Sequence, residues 1–169
     1  MLSDNQMVFG KYPEIYCLKK GELPISYFEF DHPIKKIRAV GHNQILLLGD
    51  NSCYLVQQNG NILKQWNELI DQKVENAPLN RNQLFEADYS NGELLISYWG
   101  RRSFDLIDSN GKRKIILQQS EPLTPHWVAF WNKEKLLFSS KLIFDGSTPK
   151  PHLTLLDVQN NQRIIWSTQ

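Results

Sequence analysis

The sequence predicts an all-β protein built from a four-stranded antiparallel meander that repeats about four times. Two observations lead to this fold class. Three segments share one order of elements: an alanine-bearing strand, a turn, a dense apolar strand, a third strand, a turn and a fourth strand. Turns rich in Asn and Gly also recur before the fourth strand at intervals of 51 and 50 residues. Self-similarity at periods of roughly 20–50 residues is typical of repeat architectures.

The first and second strands of each repeat have a constant character. The alanines of the opening strands, Ala39, Ala87 and Ala129, are 48 and then 42 residues apart. Each second strand is a short apolar run between turn residues, which is typical of a strand buried on both faces. These runs are Ile45–Leu48, Leu94–Ser97 and Leu136–Ser139. We therefore expect their central leucines to be core residues: Leu46, Leu95 and Leu137.

The third and fourth strands are joined by predicted hairpin turns. Asn59-Gly60 and Asn110-Gly111 match the type I′ signal, because Asn and Gly tolerate positive φ best. Asn160-Asn161 occupies the same place in the last repeat. The predicted third strands are Tyr54–Val56, Phe104–Ile107 and Leu153–Leu156. The predicted fourth strands are Ile62–Trp66, Lys114–Leu117 and Arg163–Trp166.

The N-terminal region is predicted to be an incomplete copy of the same meander, with its first strand missing. Its strand candidates are Met7–Phe9, Ile15–Leu18 and Leu23–Phe28. The expected total is fifteen strands in a single domain over residues 1–169. The four repeats cover residues of about 7–30, 34–66, 84–117 and 126–166.

Two stretches depart from the repeat. The segment from Trp66 to Gln83 is long for a loop, and its apolar residues fall near helical spacing, so a short helix before Pro78 is expected. The connection from Lys141 to His152 is also extended. Long loops on a rigid scaffold often carry binding function.

In architecture, the repeats resemble the blades of a β-propeller from about Met7 to Trp166. They lack the Gly-His and Trp-Asp signature of tryptophan-aspartate repeats and the paired glycines of kelch repeats. The resemblance implies a small or incomplete propeller, and the defective first repeat leaves an open arc as an alternative to a closed ring. An open arc exposes a lateral face that a partner chain is able to cover.

Composition and charge restrict the classes of function. The formal net charge is +1, with 19 basic and 18 acidic residues, so no overall field favours nucleic acid or membrane. The longest apolar run, Ile45–Leu48, is too short for a membrane span, and no signal peptide is recognised, which predicts a cytoplasmic protein. Cys17 and Cys53 lie in strand-like segments and are expected to be buried free thiols.

No residue pattern indicates catalysis, a metal site or a bound cofactor. The four histidines are far apart in the sequence and lack ligand spacing, and no phosphate-binding or nucleophile-elbow motif occurs. Several carboxylates fit outward strand positions and turns. A convergent pair of them is the alternative, as in glycoside hydrolysis. The carboxylates concerned are Glu86, Asp88, Asp105 and Asp108.

The most suggestive cluster lies at the turn between the second and third strands of the third repeat. It contains Tyr98, Trp99, Arg101 and Arg102, and the basic run Lys112–Lys114 lies on the next turn. Trp, Tyr and Arg are enriched in protein interfaces, so these residues are candidate partner-binding residues. The same residue types also stack and grip single-stranded RNA. The bland alternative is that Trp99 is core and the arginines form a solvated hairpin tip.

A further candidate anchor is Phe144, which lies in the extended connection of the last repeat near Pro149 and Pro151. A stiff loop loses less entropy when it binds. The leading hypothesis is thus a non-catalytic protein-binding module. Size and irregular repeats also resemble bacterial immunity proteins, which implies a toxin as the partner. The alternatives are a small propeller enzyme or a glycan-binding lectin with a central pocket, and an RNA-binding platform.

Overall fold

The described residues of the computed structural model form fifteen β-strands and no helix, which confirms the all-β class. The chain divides into two compact units, residues 1–70 and 71–169, and each contains two sheets. The structure describes residues 6–11, 13–19, 21–41, 43–70, 83–99, 101, 103–116, 123–142, 152–159 and 162–167.

The first unit contains a three-stranded sheet followed by a four-stranded sheet. The strands of the three-stranded sheet are β1 (Gln6–Lys11), β2 (Glu14–Lys19) and β3 (Ile25–Glu29). Those of the four-stranded sheet are β4 (Lys36–Ala39), β5 (Gln44–Leu48), β6 (Cys53–Gln57) and β7 (Ile62–Trp66). The expected incomplete first repeat is therefore present as a sheet of three described strands.

The second unit contains two four-stranded sheets. The third sheet of the chain is formed by β8 (Gln83–Ser90), β9 (Glu93–Trp99), β10 (Phe104–Ile107) and β11 (Arg113–Ile116). The fourth is formed by β12 (Leu123–Phe130), β13 (Lys135–Leu142), β14 (His152–Asp157) and β15 (Gln162–Ser167). In all four sheets each strand pairs antiparallel with its neighbour in sequence, as a meander requires.

In the first unit, the two sheets share an apolar core. Ile15 of β2 and Ile45 of β5 are almost fully buried, and Phe30 packs its ring edge against Tyr54 with the centroids 4.9 Å apart. Burying a side chain of this size stabilises the fold by roughly 1.5–3 kcal/mol. A single sheet leaves such residues in water, so stacking is what makes each sheet stable.

The second unit has a corresponding core between its third and fourth sheets. Leu95 and Phe104 of the third sheet pack with Val128 and Phe138 of the fourth, and all four are 0% exposed. The rings of Phe104 and Phe138 lie 5.3 Å apart between centroids. The predicted core positions Leu46 and Leu95 are buried, whereas Leu137 is half-buried.

The predicted hairpin type is wrong at two turns. At Asn59-Gly60 and Asn110-Gly111 only the glycine has positive φ, 87° and 83°. Gly60 N–H donates to the carbonyl of Gln57, and Gln57 N–H donates to that of Asn61. This is a type I turn followed by a glycine bulge. The extra residue explains the difference, because a type I′ turn requires a two-residue loop. Asn160-Asn161 lies outside the described residues.

The short helix expected before Pro78 is not present in the part of that segment that the structure describes, which ends at residue 70. Trp66 still pairs with Cys53 in the sheet, and residues 67–70 are not helical. Leu69 N–H donates to the carbonyl of Asn51, and Ile70 N–H donates to its side chain. These bonds tie the segment to the β5–β6 turn. Residues 71–82 lie outside the described part, as do residues 143–151 of the extended connection.

The two cysteines are buried free thiols, as expected from the sequence. Cys17 lies opposite Val8 in the first sheet, and Cys53 lies opposite Leu48 in the second. Burial raises the pKa of the Cys53 thiol well above its usual range. A thiol that stays protonated is a weak nucleophile.

We predict that Leu95→Ala lowers the free energy of unfolding of the second unit by about 2–5 kcal/mol, because it leaves a cavity in the core. Urea denaturation measures the change. Leu23→Ala is the matched control, because Leu23 is 84% exposed, and its effect is expected to stay within about 0.5 kcal/mol. Equal effects of the two variants contradict the assigned core.

Candidate functional site

The predicted binding residues lie at the end of the β9–β10 hairpin, but the structure buries two of them. Tyr98 is 0% exposed and Arg101 is 7% exposed. Both were predicted as partner-binding residues, and their burial does not favour direct contact with a partner. Trp99 is half-buried. Arg102 and Phe144 lie outside the described residues.

Arg101 is buried because it joins a compact ionic cluster, which we define as Tyr98, Arg101, Asp105 and Arg113. The Arg101 guanidinium carbon lies 4.0 Å from the centre of the Tyr98 ring, in a cation–π contact. Tyr98 Oη donates a 2.7 Å hydrogen bond to Asp105 Oδ2. The same oxygen lies 3.3 Å from Arg113 Nε and 3.9 Å from Arg101 Nη1. The Arg101 side chain is thus held against the sheet by a shared carboxylate.

Strand register places the cluster on one face of the third sheet. Asp105 pairs with Ile96 on one side and with Ile115 on the other, and Arg113 pairs with Ile107. Side chains paired across strands share a face, and faces alternate along each strand. The cluster therefore lies opposite the face that carries Leu95.

The expectation that Asp105 points outward is wrong, since it is 1% exposed. Alternation along β10 indicates two faces, but both faces of this central strand are buried. A single sequence does not distinguish a solvated face from a second buried face. The buried carboxylate of Asp105 is compensated by two arginines and one phenol, which all lie near its Oδ2. Its other oxygen, Oδ1, has no hydrogen-bond partner.

The environment of Tyr98 shifts its acidity strongly. Burial is the main cause that raises the pKa of the phenol above its usual range, and the charge of Asp105 adds to it. Arg113 and Arg101 act in the opposite direction. Because the raising effects are larger, Tyr98 stays neutral and serves as a hydrogen-bond donor.

The other carboxylates that the sequence singled out have structural roles. Asp88 is 9% exposed, and its Oδ2 accepts a 2.8 Å bond from Phe130 N–H, which links β8 to β12. Asp88 is therefore not the outward residue that was expected. Asp108 is the predicted turn former, since its Oδ1 accepts from the N–H groups of Asn110 and Lys112.

A partly exposed aromatic pair lies beside the cluster. The β8–β9 pairing shifts register between Leu84 and Glu86, which places Phe85 at a β-bulge. The Phe85 ring lies 5.7 Å from the Trp99 ring between centroids. A β-bulge redirects side chains in this way. A shallow depression is lined by Gln83, Leu84, Phe85 and Trp99. The bulge has no recognisable signal in the sequence.

The first unit holds a separate cavity of about 290 Å³. This is near the lower limit for small-molecule sites, which is roughly 300 Å³. Its lining contains apolar side chains and two lysines, but no His, Cys, Asp or Glu. The described lining therefore offers no acid–base pair.

The described part of the chain contains neither a metal-binding cluster nor a membrane-spanning helix. No group of three or more His, Cys, Asp or Glu side chains in the described part is arranged to hold a metal ion. In the same part of the chain, no helix has the length and apolar character needed to cross a membrane.

No protein-family model matches the sequence, and no curated protein matches it. Solved structures do match. A streptogramin B lyase aligns with 98% of this chain and 65% of its own length, at 12% identity and a TM-score of 0.58. A nidogen/laminin complex aligns with 94% of this chain and 57% of that chain, at 11% identity and a TM-score of 0.57. The WD40 domain of Neurospora crassa Pan2 aligns with 96% of this chain and 62% of its own length, at 12% identity and a TM-score of 0.51.

These likenesses confirm the propeller-like fold class predicted from the repeats. At such low identity they show the fold alone. This chain spans less than two thirds of the length of each of the three structures. They give no support to the resemblance to immunity proteins.

We predict that Asp105→Asn lowers the free energy of unfolding by about 3–5 kcal/mol, because it leaves buried Arg101 without its counter-charge. Chemical denaturation measures the loss. Asp50→Asn is the matched control: it breaks the Lys35–Asp50 ion pair, whose side chains are 40% and 71% exposed. Its expected effect is at most about 1 kcal/mol. A small effect at Asp105 refutes a stabilising role for the cluster.

We also predict an alkaline signature of Tyr98. Below its ordinary pKa of 10.0 the phenol is protonated in both the folded and the unfolded state. Above that pH the unfolded chain loses the proton first, so the free energy of unfolding falls by about 1.4 kcal/mol per pH unit. Tyr98→Phe removes this contribution. Urea denaturation is measured at several pH values from about 8 upward, which starts roughly two units below the ordinary pKa of tyrosine. The free energy of unfolding of Tyr98→Phe should fall less steeply with pH than that of wild type. Identical slopes contradict the prediction.

Proposed function

We propose that this chain is a non-catalytic protein-binding module whose contact surface lies at the end of the β9–β10 hairpin. The observation that carries the proposal is the ionic cluster under this turn. Arg101 lies over Tyr98 and beside Asp105, so its side chain, two residues after Trp99, is held against the sheet. A surface that is ordered before binding loses less entropy on association.

The exposed chemistry of this surface suits a protein partner. Trp99 and Phe85 are both half-buried and form a tilted aromatic pair. Large aromatic side chains are enriched among the few residues that dominate binding energy. Arg101 instead packs on Tyr98 and lies beside Asp105, so its role is positioning. Trp99 is therefore the contact residue of the predicted set.

The carboxylates support a non-catalytic role. Asp105 is shared between two arginines and a phenol, and Asp88 accepts from the backbone of β12. These contacts are structural, and a general acid–base pair requires carboxyl groups free to exchange protons with a substrate.

The comparison structures include both a protein complex, nidogen/laminin, and a lyase. Fold likeness alone does not choose between binding and catalysis. A propeller enzyme or lectin is the competing function, and it predicts that carboxylates meet beside Trp99 or Trp127. Asp105 instead contacts Tyr98, Arg101 and Arg113, and Asp88 accepts a hydrogen bond from Phe130 N–H, which favours the binding function.

The narrower form of the proposal is that the partner is a bacterial toxin and that this chain neutralises it in the cytoplasm. It rests on the resemblance in size and irregular repeats alone. Blocking of the toxin's active cleft by the Trp99 surface is the mechanism it implies.

Affinity capture with tagged protein tests the proposal. Wild type is expected to retain one stoichiometric partner, and Trp99→Ala to bind it at least about thirtyfold more weakly, as for truncation of a binding hot spot. Trp131→Ala is the matched control, because Trp131 is 62% exposed on the β12–β13 turn. Arg101→Ala is unsuitable because it also breaks the cluster.

Before the capture, chemical denaturation is used to check that both tryptophan variants have the same midpoint of unfolding as wild type. A partner that binds Trp99→Ala and Trp131→Ala equally contradicts the assigned surface. Absence of any partner for wild type contradicts the function itself, and a screen of glycans and small molecules then tests the competing one.

A further inference from the structure

Three consecutive basic residues lie at the start of the last strand of the third sheet: Lys112 immediately precedes the strand, and Arg113 and Lys114 are its first two residues. This strand, β11, is terminal in its sheet, and among the described strands it pairs only with β10. An edge strand presents backbone groups on which another chain is able to add as a further strand. The run therefore combines a template for strand pairing with a strong local charge.

The three basic side chains are not equivalent. Lys112 and Lys114 are exposed. Arg113 is turned toward Asp105, with its Nε 3.3 Å from Oδ2. Asp105 carries one negative charge, and Arg101 shares it. The cluster alone thus has a surplus of positive charge, and the two lysines add to it.

The acidic residue nearest to these basic residues in the sequence is Asp108, and its carboxylate bonds to the backbone. Asp108 Oδ1 accepts from the N–H groups of Asn110 and Lys112, and so stabilises the β10–β11 turn. The turn fixes the start of β11. Two acidic residues, Asp105 and Asp108, stand here against four basic ones, Arg101 and residues 112–114, so the edge has a formal excess of positive charge, although the whole chain has a net charge of only +1.

We propose that β11 binds an acidic extended segment of the protein partner, which adds to the third sheet as a further strand. This inference rests on the proposed function and names the chemistry of its partner. Main-chain hydrogen bonds supply affinity in such strand addition, and side chains supply specificity. Carboxylates of the segment pair with Lys112 and Lys114.

Strand geometry defines the sequence that fits. Lys112 and Lys114 are two positions apart, which corresponds to roughly 6.6 Å along an extended chain. A segment with Glu or Asp at alternate positions matches this spacing. Lysines on an edge also repel other basic edges, so the same residues that attract an acidic segment disfavour pairing between copies of this chain.

The strand leads to the surface already proposed. Ile116, at the end of β11, pairs with Phe104, which begins β10 shortly after Arg101. An added strand along β11 therefore extends from the lysines to the end of the sheet that carries Trp99. One partner is able to use both features.

The experiment measures binding of a capped peptide of alternating Glu and Val, eight residues long, by calorimetry at low salt. We expect wild type to bind it and Lys112→Glu/Lys114→Glu to bind at least tenfold more weakly. Lys133→Glu/Lys135→Glu is the control, since it makes the same charge change at the β12–β13 turn. Hydrogen exchange of residues 113–116 is expected to slow only when the peptide is bound.

Three results overturn the proposal. One is equal binding of the peptide by both double variants, and another is no binding by wild type. The third is tighter, strongly salt-dependent binding of an eight-nucleotide oligo-dT by wild type, which assigns the edge to nucleic acid instead. Capture of a partner through Trp99 with no effect of Lys112→Glu/Lys114→Glu leaves the proposed function standing and removes this inference alone.

Discussion

The fold depends on one constraint, which is that the central strands β5, β6, β9 and β10 are largely buried on both faces. A four-stranded sheet alone leaves both faces in water, and the apolar cores between paired sheets show how one face is covered within each unit. Leu95 and Phe104 meet the fourth sheet on one face of the third. The other face of the same strands carries the ionic cluster. The face on which a residue lies therefore decides whether it packs in an apolar core or takes part in ion pairs.

The cluster shows why burial and charge coexist here. Removing a carboxylate from water costs several kcal/mol, and attraction in a poorly polarisable interior offsets this only when geometry is good. Two arginines and a phenol converge on one oxygen of Asp105. Such an arrangement holds the side chains of Tyr98, Arg101 and Arg113 in fixed positions, and a binding surface needs side chains that are fixed in this way.

Much of the fold was predictable from the sequence. Strand positions follow from apolar runs between turn residues, and the repeat fixed their order. The limits are equally specific. Asp105 and Arg101 were assigned to the surface because alternation along a strand does not distinguish water from a second core. Phe85 was missed because a bulge has no sequence signal, and the Asn-Gly pairs did not reveal that two turns have an extra residue.

Every strand pair in the described part joins neighbours in sequence, and this has a consequence for how the chain is made. All such contacts are local, which favours rapid folding. A sheet is able to form as soon as its own residues leave the ribosome, and a register error stays confined to that sheet. The vulnerable period comes afterwards, while a finished sheet waits for the next to be synthesised and to cover it.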